Sequence, residues 1–121
     1  MSGSWIRSER RLAINLRDGM ACAYCGVDLH GAAPETITLD HLVPRNIKVA
    51  HGGGGNEATN LVTACKSCNS SRQDKPWIDY ATGGARDRIE QLRSRDLAPY
   101  LKLAKAYFAD QVGDPAVEAA R

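Results

Sequence analysis

The chain has 121 residues, of which 43% are hydrophobic and 25% charged, and its formal net charge is +2. That length fits one compact domain, no apolar run approaches the ~20 residues a membrane helix requires, and the opening residues are not a basic segment leading into a hydrophobic one. A single cytoplasmic domain, residues 1–121, without a membrane partner is therefore expected. Two tryptophans, four tyrosines and one phenylalanine against eleven glycines point to a thin core that needs a staple, and so mild a positive charge identifies no partner by itself.

Along the chain, residues 4–18 place Trp5, Leu12, Ala13 and Leu16 on one side of a helix that Gly19 stops. Residues 30–34 read as a loop. Residues 36–43 are β-branched and apolar enough for a strand ended by Pro44, with Asp40 and His41 near its end. Residues 45–56 hold Gly52, Gly53, Gly54 and Gly55 and form a flexible loop, which either lies close to a ligand or only joins two elements. A helical turn at 56–60, a strand at 61–64 and a helix at 66–74, stopped before Pro76, complete a strand, loop, strand, helix order. Trp77, Ile78 and Tyr80 read as an anchor on the core, and Gly83 and Gly84 as a break. Two further amphipathic helices follow: 85–95 carries Ile89 and Leu92, and 97–111 carries Leu97, Leu101, Ala104 and Phe108. Residues 113–121 are expected to fray.

The four cysteines fall in two pairs of identical spacing, Cys22-Ala-Tyr-Cys25 and Cys65-Lys-Ser-Cys68. Two intervening residues let two thiolates face one ion from a tight turn, and two such turns supply the four sulfurs of a tetrahedral zinc site. Gly26 suits the turn just past the second thiolate. The rivals are two disulfides or a redox-active pair. Reducing surroundings oppose the first, and the second lacks the strand-to-helix setting of a βαβ unit. All four positions are filled by protein, so the zinc is a staple and not a reaction centre.

Between the knuckles run Leu39-Asp40-His41-Leu42-Val43-Pro44-Arg45, then Thr59-Asn60-Leu61, then Cys68-Asn69-Ser70-Ser71-Arg72. This succession resembles the HNH endonuclease family in its zinc-bearing branch. The likeness covers about residues 20–76 and implies an α+β fold: a small ββα-metal (His-Me finger) core stapled by a four-cysteine zinc site, with flanking N- and C-terminal helices. It also implies a DNA endonuclease in which Asp40 and Asn69 bind the catalytic divalent ion, His41 is the general base, Asn60 braces the loop and the product carries a 5′ phosphate. Asn69 stands where the family's titular pattern has histidine, which resembles its HNN branch.

The residue chemistry is independently suited to phosphodiester hydrolysis. A neutral imidazole accepts a proton near pH 7, and oxygen ligands suit a hard ion such as Mg²⁺, Mn²⁺ or Ni²⁺. On a regular strand Asp40 and His41 face opposite ways, so they converge only where the chain bends, and Pro44 offers a bend nearby. Arg45, Lys48, His51, Lys66, Arg72 and Lys75 are candidate phosphate contacts, Arg72 because it lies three positions after Asn69 on a helix. Two other functions compete: a non-catalytic zinc-stabilised nucleic-acid-binding module, and a zinc-organised protein-interaction domain carried by the terminal helices.

Overall fold

A computed structural model describes residues 6–44 and 55–111. The first element, α1 (Ser8–Arg17), ends where Gly19 and Met20 adopt φ of +73° and +54°, a left-handed turn that only glycine enters without cost. Its buried face is Ala13, Ile14, Asn15 and Arg17, whereas Leu12 and Leu16 are only half-buried and Trp5 lies outside the described residues. The expected apolar stripe is therefore rotated. Arg17 and Asp18, with fully buried side chains, pair at 2.7 Å and grip the strand that follows in space.

The sheet has two antiparallel strands, β1 (Ile37–His41) and β2 (Leu61–Cys65), in register from Ile37 opposite Cys65 to His41 opposite Leu61. The first strand is shorter than the sequence suggests at both ends. Pro34–Thr36 forms a 3-10 turn, and beyond His41 the ladder gives way because side chains capture the backbone: Asn60 takes the Val43 amide, and Arg72 takes the His41 and Leu42 carbonyls. A second 3-10 turn, Ala58–Asn60, leads into β2. The edge of β2 away from β1 is also occupied. Arg17 donates to the Leu61 carbonyl at 2.6 Å, Asp18 accepts from the Thr63 amide at 2.7 Å, and the Ala23 amide donates to the Thr63 carbonyl at 2.9 Å. These contacts cover the edge that would otherwise recruit another strand.

Directly after β2 comes α2 (Lys66–Arg72), capped at its start by the Cys65 sulfur, which accepts from the Cys68 amide. It ends earlier than the sequence implies, because Gln73 turns to a φ of +50°. The short α3 (Trp77–Tyr80) buries Trp77, while Ile78 is 47% exposed and does not serve as an anchor: one turn of helix turns adjacent residues apart. α4 (Ala85–Ser94) buries Ile89 and Leu92, and α5 (Ala98–Gln111) buries Ala104. One core cluster joins Cys22, Tyr24, Leu42, Val62, Trp77, Ile89 and Leu92; a second joins Ile6, Ile14, Leu39 and Leu61. α5 lies along α1. The architecture is thus mixed α+β, with a ββα core between flanking helices. Among the described residues no helix is long and apolar enough to cross a membrane.

Candidate active site and cysteine cluster

The cysteine pairs meet because the first is docked on β2 and the second leaves from its end. The first knuckle closes through Gly26, at φ +79°, whose amide donates to the Cys22 carbonyl at 2.8 Å. Arg88 of α4 holds it from outside, donating to the Ala23 and Tyr24 carbonyls at 2.9 and 3.0 Å. All four cysteines are free thiols, and their sulfurs lie within 4.8 Å of one another. The Cys25 and Cys65 sulfurs are 3.9 Å apart, against the roughly 3.8 Å between corners of a tetrahedron with ~2.3 Å zinc–sulfur bonds. Burial, and then the charge of Cys22, push the Cys68 thiol up to about 12. Four thiolates so close repel unless a cation sits among them, so this donor set fits a soft, four-coordinate metal.

About the end of β1 a second group of polar side chains converges. Asp40, His41 and Asn69 line one open cavity of about 360 Å³, with Leu39, Pro44, Arg72 and Gln73. Asp40 and His41 both reach it because the strand ends at His41. Asp40 is 7% exposed, and its Oδ2 accepts from the Tyr24 hydroxyl at 2.5 Å and from Arg72 Nη1 at 2.6 Å. Burial, and then the charge and hydrogen bond of Asp40, push the Tyr24 phenol far above its ordinary range, so it remains a donor. Asn69 donates through Nδ2 to Thr38 Oγ1 at 3.0 Å, and Thr38 in turn donates to the Ala64 carbonyl. The Asn69 amide is thereby oriented by the sheet, leaving its oxygen for other partners. Buried Asn60 exchanges hydrogen bonds with the Val43 backbone, at 2.9 and 3.0 Å, and donates to the Gly55 carbonyl at 2.9 Å. It thus ties together chain on either side of the glycine-containing segment.

The family model described as HNH endonuclease matches residues 22–75, the stretch that holds both knuckles and all four polar residues. Residues 22–75 are thus identified as an HNH endonuclease-like segment. The HNH segment is also similar to two proteins described as CRISPR-associated endonuclease Cas9. That of Actinomyces naeslundii is 38% identical over 63 residues, 52% of this chain, and that of Corynebacterium diphtheriae 37% identical over 65 residues, 54% of this chain. The chain spans only 5% of the length of each of these relatives. No solved structure matches it.

Within the HNH segment one expected phosphate contact is corrected. Arg72 is 2% exposed and faces inward: besides Asp40, it donates to the carbonyls of His41, Leu42 and Lys75 at 2.9, 2.7 and 2.9 Å. Its fork is spent on the protein, because it supplies a countercharge to the buried Asp40 carboxylate and a donor to the carbonyls at the strand end. Lys66 and Lys75 are exposed but do not line the cavity, and Lys75 lies over the Tyr80 ring at 5.9 Å from its centroid. Arg45, Lys48 and His51 lie outside the described residues. His30 is exposed and bonds Asp28. Two contacts had no signal in the sequence. Tyr24, between the cysteines of the first knuckle, bonds Asp40, and the Asn56 Oδ1 lies 2.7 Å from His41 Nε2.

Proposed function

We propose that this chain is a metal-dependent DNA endonuclease that hydrolyses phosphodiester bonds with one catalytic ion, within a single cytoplasmic domain. One observation carries the reading: an imidazole, a carboxylate and an amide from three sequence positions line the same open cavity. His41 takes a proton from water as that water attacks in line, and Asn60 keeps the loop, and so the imidazole, in place. Asp40 and Asn69 offer their Oδ1 atoms to a hard divalent ion, Mg²⁺ or alternatively Mn²⁺ or Ni²⁺. When bound, that ion stabilises the charge developing on the phosphate and the departing 3′ oxygen. Both described bonds to Asp40 fall on Oδ2, and Arg72 offsets its charge. The protein alone therefore attracts a cation weakly, and a DNA phosphate completes the ligand set. Cys22, Cys25, Cys65 and Cys68 hold a structural zinc.

A supercoiled plasmid incubated with the protein, with and without divalent ion, tests this directly. Nicked circles are expected before linear product, since one such site cuts one strand per encounter. His41→Ala should lower the rate by about a hundredfold or more while leaving zinc content and circular dichroism unchanged. Salt-sensitive binding without cleavage would make the chain a nucleic-acid-binding module. Absence of both would leave a protein-interaction domain.

A further inference from the structure

We propose that Asn56 is the positioning residue of His41, fixing its proton on Nε2 and leaving Nδ1 as the basic nitrogen; this rests on the reading of His41 as general base. The Asn56 Oδ1 stands 2.7 Å from His41 Nε2, across 15 positions of chain. A neutral imidazole has one N–H and one lone pair, and an amide oxygen only accepts, so this contact selects the Nε2–H tautomer. The pair is built rather than incidental, because both backbones are pinned. Arg10 of α1 donates to the Asn56 carbonyl at 3.1 Å, and Asn60 donates to the adjacent Gly55 carbonyl at 2.9 Å. On the other side Arg72 holds the His41 carbonyl at 2.9 Å. Asp40 and Arg72, paired with each other, line the cavity together with His41, and Arg10 lies beyond Asn56.

A neutral brace of this kind orients the ring without adding charge beside it. Without it the imidazole samples both tautomers and both ring orientations, and only a fraction presents a lone pair to water. The loss expected on truncation is about tenfold, the equivalent of one hydrogen bond.

Nitrogen-15 NMR of the full, zinc-loaded chain reads the tautomer without reference to activity, with the His41 signals assigned by their loss in His41→Ala. The wild-type protein should show a protected Nε2 proton. Asn56→Ala should lose that protection and lower kcat about tenfold, with KM within about twofold. Asn56→Asp keeps an acceptor oxygen at the same place, so it should keep the protected Nε2 proton that Asn56→Ala loses. A wild-type proton on Nδ1, an Asn56→Ala protein indistinguishable from wild type, or loss of the protected Nε2 proton in Asn56→Asp would overturn the proposal. An active His41→Ala protein removes the base reading itself, and with it the catalytic meaning of Asn56, whatever the NMR shows. An inactive His41→Ala beside a normal Asn56→Ala removes Asn56 alone.

Discussion

Replacing Arg72 separates a structural clamp from a phosphate contact. Its side chain is 2% exposed and that of its partner Asp40 8%, with the charged atoms 2.6 Å apart. Removing one member of a buried pair costs about 3–5 kcal/mol, because the other charge stays buried without compensation. Three carbonyls, of His41, Leu42 and Lys75, lose a donor as well, which puts Arg72→Ala at the upper end. A domain of this size has about 5–15 kcal/mol in total, so Arg72→Ala should be largely unfolded or shift the urea midpoint down by about 2 M. Arg72→Lys restores the charge but reaches fewer acceptors, and should cost about 1–3 kcal/mol. Urea titrations at fixed zinc measure both. In Arg72→Lys, the slope of log affinity for DNA against log salt should match that of the wild type, since an arginine turned inward releases no counterion. A stable Arg72→Ala protein, losing under about 1 kcal/mol while the salt slope falls by about one, would refute the inward clamp.

Two further consequences concern the first knuckle and its metal. Tyr24→Phe removes one donor from the buried Asp40 carboxylate and should cost about 1.5–3 kcal/mol in urea titration without loss of zinc; an unchanged midpoint would mean that the hydroxyl does not hold Asp40. Metal binding at the four cysteines must displace protons, including the one that Cys68 retains up to about 12, so affinity rises with pH and acid expels the metal. Calorimetry in buffers of different ionisation enthalpy should detect more than about one proton released per zinc, and a chromogenic chelator should register zinc release on acidification with parallel loss of helical signal. Retention of folded structure after complete metal removal would deny the cluster its role as a staple.

What the amino-acid order alone determined is local and short in range. A two-residue gap between cysteines dictates a tight turn whatever lies beyond it, and the second gap placed directly after an apolar run puts a ligand pair at the end of a strand. The β-branched run around Asp40 and His41 and the apolar run that begins at Leu61 were likewise enough to indicate two strands, while the roles of the polar residues came from the family resemblance. The His41 end of β1, by contrast, moved because tertiary contacts rather than propensity set it. Only the tertiary structure decided which way the polar side chains are spent. Arg72 meets Asp40 across 32 positions, and Asn56 meets His41 across 15. Helical spacing brought Arg72 onto the face of Asn69, but burial beside a carboxylate and open carbonyls outweighed solvent and turned it inward. Desolvation and hydrogen-bond satisfaction depend on everything packed around a group, and no periodicity in the sequence records them.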